Sequence, residues 1–283
     1  MYTLVTFATQ WGGKHGGVNS FNADFLTAHM SYDHYESYAE DSQSAQRKTE
    51  AQTTLFQKAD MVLAVGPLLR DAARDRLSGL KPVHMLISGL AEIDPQIAPN
   101  TFVAFLSGRL SDDAARIKQG QLGIAAFATA QRDARHEGRP DALRKQPKLL
   151  LRGVDFEGQL GESSLSAQQD PETELKEFAE KYAQAVVNLH TLPYTDDRQQ
   201  LYSELSRSSV ALMRSWHEGF GLVAWEAIAA GVPLIVSEHS GVYRLLDVFC
   251  MSAKPWRFAS DWRRRIPGAS LAIYAVTHAL RLS

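Results

Sequence analysis

The sequence predicts an α/β fold made of two Rossmann-like lobes. Short apolar runs alternate with helical stretches, which is the pattern of βαβ units around a parallel sheet with both faces covered. The alternation starts again near residue 100, after a segment with Pro95 and Pro99, so we expect two sheets rather than one. A length of 283 residues suits two modest domains, because single domains usually run about 100–200 residues.

Elements of the first half follow from apolar runs and turn signals. A glycine-rich turn, Trp11–Gly17, follows the first apolar run, so this run is expected to be a buried strand. Glu36–Ala59 is long, polar and rich in Gln, Glu and Ala, which predicts a surface helix. Pro67 lies where a helix can begin, because proline is tolerated at the first helical position. The strands expected in this half are Tyr2–Ala8, Phe25–Met30, Met61–Val65 and Val83–Ile87.

The second half repeats the pattern. Its expected strands are Phe102–Leu106, Lys148–Leu151, Val210–Met213 and Pro233–Ser237. The helices between them are expected at Ala114–Ala130, Pro171–Val187, Leu201–Leu205 and Gly221–Ala230, with polar loops at Gln131–Pro147 and Gly158–Asp170. These elements predict a first lobe over residues 1–100, a second lobe over residues 101–247, and an atypical tail over residues 248–283 with one helix at Ser270–Leu282.

Composition excludes several classes of protein. Apolar residues make up 45% and charged residues 22%, which rules out dominant disorder, collagen and coiled coils. Thirty Lys and Arg against 32 Asp and Glu give a net charge of −2, so no overall basic field recruits nucleic acid. Cys250 is the only cysteine, which excludes an internal disulfide and a multi-cysteine zinc site.

The sequence also favours a cytoplasmic protein. A single cysteine fits a reducing compartment. The first residues carry no basic region, and their apolar run is too short for a signal peptide. No uncharged stretch approaches the roughly 18 residues that suggest a membrane span.

Residues 215–237 form the most informative segment. Glu218 and Glu226 are eight positions apart, with the glycine turn Gly219–Gly221 between them. Glycines let a backbone approach a ligand closely, and the free amides at a helix start hold phosphate. Glu218 lies in the turn, where it can reach a sugar, and a carboxylate at Glu226 can accept both hydroxyls of a ribose. The alternative is a plain strand–turn–helix whose glutamates are solvated.

This segment resembles the E-x7-E signature of retaining glycosyltransferases with the GT-B fold, especially family 4. Many members of that family transfer sugars from UDP-, GDP- or ADP-linked donors. The resemblance implies that Glu218 holds sugar hydroxyls and that Glu226 holds the ribose. It also implies donor-binding positions at Gly219, Phe220, Gly221, Leu222 and Glu226.

A second block agrees with this resemblance. Gly108-Arg109-Leu110, followed by Lys118-Gln119-Gly120 and Ala126-Phe127, resembles the family segment whose arginine and lysine bind the donor diphosphate. The resemblance implies that Arg109 and Lys118 hold the leaving group. Two fixed cations can stabilise a departing diphosphate without a metal. The alternative is a pair of ordinary surface cations beside a helix.

Two further matches lie in the N-terminal half. Gly12–Val18 resembles the family's first glycine loop, which implies that Gly16 and Gly17 lie at the donor. His29, at the end of the expected second strand, resembles the histidine that hydrogen-bonds the donor sugar near its reacting carbon. The alternatives are a tight turn without a ligand and a structural histidine.

The implied reaction is transfer of a glycosyl group from a nucleotide sugar to an acceptor hydroxyl, with retention at the anomeric carbon. Catalysis would rest on Glu218, His29, Arg109 and Lys118, with no metal and no cofactor. The departing phosphate would help to deprotonate the acceptor. Asn188–Asp197 resembles the loop around the nucleotide base, and Ser237–Leu246 the turn near the donor sugar, but the base, sugar, acceptor and oligomeric state stay open.

The resemblance has two departures. His29 follows Gly17 by only twelve residues, where the family has most of a lobe, so the first lobe is expected to be shortened. Matching stops near Asp247, and the tail contains Arg263–Arg265 with Trp256 and Trp262, a candidate basic–aromatic patch for peripheral membrane contact through lipid headgroups, or for nucleic acid. The alternative that the sequence favours is a frayed or rearranged terminus. The alternative function is a nucleotide- or sugar-binding relic without turnover. An epimerase or a phosphorylase fits less well, because neither signature is present.

Overall fold

The computed structural model describes residues 4–7, 53–54, 56–94, 101–108, 120–136, 146–154, 171–215, 218–249 and 271–274. The chain forms two compact units, each made of segments that are separate in the sequence. The first takes the described residues of Met1–Gly89, Ser215–Gly221 and Glu238–Ser252. The second takes those of Leu90–Arg214, Leu222–Ser237 and Ala253–Ser283. The lobe bounds at residues 100 and 247 stay a prediction.

The first unit contains a three-stranded parallel sheet in the order β1-β2-β3. Its strands are β1 (Leu4–Phe7), β2 (Met61–Val65) and β3 (Val83–Leu86). Helix α1 (Gly66–Leu77) connects β2 to β3, which makes a βαβ unit. Within the same unit, helix α6 (Gly241–Phe249) packs against α1.

Helix α1 shows how local sequence produces this unit. Pro67 lies in the first turn, where a missing amide proton costs nothing. Leu69, Ala73 and Leu77 are spaced by four residues and are fully buried, so they form one apolar face. This face packs with Val62, Ala64 and Val83 of the sheet and with Phe56 and Ala59 before it. The helix ends at Ser78, whose backbone is left-handed and whose amide donates to Asp75 O at 3.1 Å.

The second unit contains a six-stranded sheet in the order β6-β5-β4-β7-β8-β9. Its strands are β4 (Val103–Ser107), β5 (Lys148–Arg152), β6 (Asn188–Leu192), β7 (Val210–Met213), β8 (Leu234–Ser237) and β9 (Leu271–Tyr274). Strands β4 to β8 are parallel, and β9 pairs antiparallel with β8. This order is that of the Rossmann fold, in which ligands bind where the strand order reverses.

Four helices connect these strands: α2 (Gly120–His136), α3 (Pro171–Ala183), α4 (Arg198–Ser206) and α5 (Leu222–Ala229). Helices α2 and α3 pack against each other and against the sheet, which buries Leu106, Ile124, Leu149, Leu151 and Leu189 completely. Asp197 caps α4, since its carboxylate accepts from the amides of Gln199 and Gln200. The predicted α/β class with parallel sheets in two Rossmann-like bodies is therefore confirmed.

Several element predictions are confirmed. Strands Met61–Val65 and Val210–Met213 occur with the expected bounds, and most of the others differ by one or two residues. Helix α2 continues to His136, into a segment expected to be a loop. Gln131 and Ala134 are buried there, so the buried face extends past the point where polar residues predicted an end.

Two element predictions are wrong. Asn188–Leu192, expected within the loop around the base, is a strand that pairs with β5 along its full length. The helix expected at Ser270–Leu282 is contradicted at Leu271–Tyr274, which is a strand. Short apolar runs suit either element, and the edge of β8 offers backbone partners that select the strand.

Some predictions lie outside the described residues. The glycine-rich turn and the strand at Phe25–Met30 are among them, and the long helix at Glu36–Ala59 is described only from residue 53 onward, where residues 53–54 and 56–58 are helical. Among the described residues, every helix is too short or too polar to cross a membrane.

Candidate functional site

Hydrogen bonds hold the backbone of Glu218, the first of the two glutamates expected at the donor site. Glu218 forms an isolated parallel bridge with Ser240 in the first unit. Its amide donates to His239 O at 3.3 Å, and its carbonyl accepts from the amide of Gly241 at 3.0 Å. Ser215 Oγ lies 3.5 Å from Glu218 Oε2, at the limit for a hydrogen bond. The backbone of Glu218 is therefore fixed on both sides, which sets the position from which its carboxylate extends.

The glycine turn after Glu218 packs closely against its surroundings in the first unit. A Cβ added at Gly241 would lie 2.2 Å from Gly219 O, so the two backbones meet directly. The amide of Val242 donates to Phe220 O at 2.8 Å, which is a second contact between the turn and the start of α6. These contacts require glycine at position 241, because any side chain there would separate the two segments.

Phe220 is an anchor of the first unit. Its side chain is 1% exposed, and a Cβ added at Gly66 would lie 2.5 Å from its Cδ2. Gly66 also has a φ of +81°, which favours glycine on its own. The buried ring fixes the position of the turn. Any donor contact at Phe220 would therefore involve the backbone of this residue.

Gly221 and Leu222 form the entry to helix α5. Gly221 has a φ of +101°, a left-handed conformation that a residue with a side chain rarely adopts. Leu222, the first helical residue, is 52% exposed. A glycine followed at once by a helix start presents backbone amides that can hold an anion.

Glu226 lies one turn into α5, in the second unit. Its side chain is half-buried, and this burial raises the pKa of its carboxyl above the ordinary value. The guanidinium of Arg198, at the start of α4, lowers this pKa by a smaller amount. A carboxylate with a raised pKa is a strong hydrogen-bond acceptor, which suits a site that receives two hydroxyl groups.

Five of the predicted site residues lie outside the described residues. They are Gly16, Gly17, His29, Arg109 and Lys118, and their roles stay predictions. The structure describes the neighbours Gly108, with a φ of +149°, and Gly120, the first described residue of α2. Within the described ranges, no group of three or more His, Cys, Asp or Glu side chains is arranged to hold a metal ion.

Sequence reasoning missed two arginines at the carboxyl edge of the six-stranded sheet. Arg152 ends β5 and is 3% exposed; it forms a two-pronged ion pair with Glu204 and donates to Pro193 O at 2.7 Å. Arg214 follows β7 and is 5% exposed, and burial lowers its pKa to about 9. Both follow apolar runs directly, and this signal could have identified them as buried charges at the ligand-binding edge.

The chain is similar to parts of several solved structures. Alr3699/HepE of Anabaena, solved with UDP and glucose, is 18% identical with a TM-score of 0.49, over 75% of this chain and 52% of that one. Sucrose-phosphate synthase of Thermosynechococcus elongatus is 18% identical with a TM-score of 0.47, over 80% and 55%. WaaG, a glycosyltransferase of lipopolysaccharide biosynthesis, is 14% identical with a TM-score of 0.49, over 87% and 59%.

The present chain therefore spans about half the length of the solved structures that it matches. A search of curated proteins finds no match. A family profile, described as family 4 glycosyltransferases in conflict systems, matches residues 23–255. Because this match covers most of the chain, the protein belongs to the family 4 glycosyltransferases in conflict systems.

Proposed function

We propose that the protein transfers a glycosyl group, with retention, from a UDP-, GDP- or ADP-linked sugar to an acceptor hydroxyl. The observation that carries this proposal is the entry to α5, where Gly221 adopts a positive φ and Glu226 follows one turn later. Membership of a glycosyltransferase family supports the reaction class.

Helix α5 suits a nucleotide for two reasons. Its first amides, beginning at the exposed Leu222, can hold a phosphate oxygen. Helical side chains tilt towards the N-terminus, so the carboxylate of Glu226 extends back towards those amides. A ribose bound by Glu226 would then have its phosphate near the helix start, as a nucleoside diphosphate requires.

The remaining roles follow from the charge that develops in the reaction. Glu218, held by its backbone, is the residue that we assign to the sugar hydroxyls. Arg109 and Lys118 would stabilise the departing diphosphate, and His29, Gly16 and Gly17 would contact the donor sugar. Catalysis would come from positioning and charge stabilisation, since the two cations supply what a metal supplies elsewhere.

Donor binding is the first test. Isothermal titration calorimetry of the full chain with UDP, GDP and ADP should identify one nucleotide that binds. Glu226→Ala should weaken this binding about 10- to 100-fold, because two hydrogen bonds to a charged group are lost. Glu174→Ala removes an exposed glutamate of α3 and should leave binding unchanged. Absence of nucleotide binding to the wild-type protein would refute the proposal.

Transfer is the second test. Arg109→Ala and Lys118→Ala should each lower the rate about 100- to 1,000-fold, as expected when a group that stabilises developing charge is removed. The anomeric configuration of the product, measured by NMR, tests retention. Nucleotide binding without hydrolysis or transfer on any acceptor would instead support the binding relic.

A further inference from the structure

A buried arginine holds the loop between β6 and α4, residues 193–197. Arg152 ends β5 and is 3% exposed. Its Nε donates to Glu204 Oε2 at 2.8 Å, and one terminal nitrogen donates to the other oxygen of the same carboxylate. Its second terminal nitrogen donates to Pro193 O at 2.7 Å. Arg152 therefore connects the first residue of the loop to helix α4, which follows the loop.

The other end of the loop is fixed by its own side chains. Thr195 Oγ1 accepts from the amide of Asp197 at 3.1 Å. The carboxylate of Asp197 accepts from the amides of Gln199 at 2.9 Å and Gln200 at 3.3 Å, which caps α4. The loop is thus fixed by the helix cap at its last residue and by Arg152 at its first, and only the second of these depends on a distant part of the sequence.

Stability alone does not account for this ion pair. The side chains of Arg152 and Glu204 are both largely buried, so removing their charges from water offsets much of their mutual attraction. Replacing such a pair by apolar side chains is often neutral for stability, whereas removing one partner is costly. A planar guanidinium that donates in a fixed fork imposes one geometry on its acceptors. We therefore expect this pair to determine the conformation of the loop more than the stability of the fold.

The loop lies at the edge of the sheet where the donor is expected. Strands β6, β7 and β8 run parallel, so α4 and α5 both begin at the carboxyl edge, where open α/β sheets bind ligands. The two helices pack against each other. Burial raises the pKa of the Glu226 carboxyl and the guanidinium of Arg198 opposes this shift, so the first residue of α4 lies near this carboxylate. A ribose at Glu226 with its phosphate at the start of α5 would extend its other side towards the start of α4.

We propose that Arg152 is a positioning residue, which holds residues 193–197 as a wall of the site for the nucleoside part of the donor. The inference rests on the proposed function and deepens it, because it names the segment that borders the nucleoside. Arg152 is buried and acts through the carbonyl of Pro193 and through α4.

Two variants of the full chain separate positioning from stability, with nucleotide affinity measured by calorimetry with UDP, GDP and ADP. Arg152→Met should weaken binding about tenfold or more and lower the melting temperature, because Glu204 loses its partner. Adding Glu204→Met removes the second buried charge, so this double variant should regain most of the melting temperature but not the affinity. Arg207→Met is the control: it removes an exposed arginine directly after α4 and should leave both quantities unchanged.

Hydrogen exchange of the wild-type protein gives a readout that needs no variant. Adding the nucleotide that binds should slow amide exchange at residues 194–197, because a wall of the site becomes more protected when the site is filled. Residues 180–183, at the end of α3, lie at the opposite edge of the sheet, because α3 leads into the parallel strand β6. Their exchange should not change.

Reduced affinity in the folded double variant, together with slower exchange of the loop, supports the inference. Wild-type affinity in the folded double variant overturns it, makes Arg152 a structural residue and leaves the proposed function intact. Unchanged exchange at residues 194–197 with a nucleotide bound also overturns it, whatever the variants show. If neither variant folds, this exchange measurement alone decides. A wild-type protein that binds none of the three nucleotides removes the proposed function and the inference together.

Discussion

Glu172 accepts three hydrogen bonds in the second unit, and neutralising it should destabilise this unit. It lies in the first turn of α3 and reaches the edge strand β6. Its Oε2 accepts from the amide of Thr191 at 2.9 Å and from Thr191 Oγ1 at 2.6 Å, while its Oε1 accepts from Lys176 Nζ at 2.6 Å. Glu172→Gln removes the charge that all three bonds depend on but keeps the shape.

The magnitude follows from the pKa of this carboxyl. Burial raises it, but hydrogen bonds from Lys176 and Thr191 outweigh burial and lower the pKa of Glu172 from 4.5 to about 2. At about 1.4 kcal/mol per pKa unit, this difference corresponds to at most about 3.5 kcal/mol. The side chains of Lys176 and Glu172 are 39% and 25% exposed, so solvent screening reduces the expected loss to roughly 1–2 kcal/mol.

The contribution of Glu172 to the free energy of unfolding should decrease in acid. The folded pKa of Glu172 is depressed, so its contribution to the free energy of unfolding is complete above the unfolded value of about 4.5. It is lost as the pH falls from about 4.5 to about 2, where the carboxyl becomes protonated in the folded state as well. The wild-type protein and Glu172→Gln should therefore differ in stability at pH 7 and converge in strong acid.

Urea unfolding followed by circular dichroism measures this difference. Glu174→Gln is the matched control, because Glu174 lies in the same helical turn, interacts with the same helix dipole and is exposed. Subtracting its effect isolates the contacts with Thr191 and Lys176. Equal stability of the two variants at pH 7, or a difference between wild type and Glu172→Gln that persists at pH 2, would refute the reasoning.

Two further predictions follow. Burial raises the pKa of Glu226, so an ionised carboxylate needed for ribose binding is lost at higher pH than for an exposed glutamate. Nucleotide affinity should therefore fall as the pH is lowered from neutral, and calorimetry should find a weaker pH dependence in Glu226→Gln. Gly66→Ala should destabilise the protein by about 2 kcal/mol, because the new Cβ overlaps the buried ring of Phe220. Gly79→Ala has similar backbone strain with nothing within 4 Å, so an equal effect in thermal unfolding would contradict the overlap.

Much of the fold could be predicted from local pattern. Runs such as Met61–Val65 and Val210–Met213 are apolar, short and bounded by turn signals, so their conformation is set nearby in the sequence. Strand β6 could not be predicted this way, because Asn, His and Thr interrupt its apolar residues. Its conformation depends on pairing with β5, and β9 depends in the same way on the edge of β8.

The residues of the candidate site differ in the same way: some could be predicted from neighbouring sequence, and others depend on distant contacts. Glu218, Glu226 and the glycines between them could be proposed from one contiguous string, because a turn and a helix start need particular residues at fixed spacing. Arg152 and Arg214 were not predicted, because the residues that they contact, Glu204 and Gly123, lie far from them in the sequence. A single sequence does not show which distant residues meet.

The sequence by itself determined the α/β class and the alternation of strands and helices, and it supplied the segment on which the proposed donor site rests. The tertiary structure decided which side chains are buried and what they touch: Arg214 lies beside Gly123 of α2, Arg152 against Glu204, and the ring of Phe220 against Gly66. The physical reason is the distance along the sequence over which each effect acts. Helical and strand periodicity and turn preferences act over a few neighbouring residues, whereas desolvation and close packing act between segments that only folding brings together.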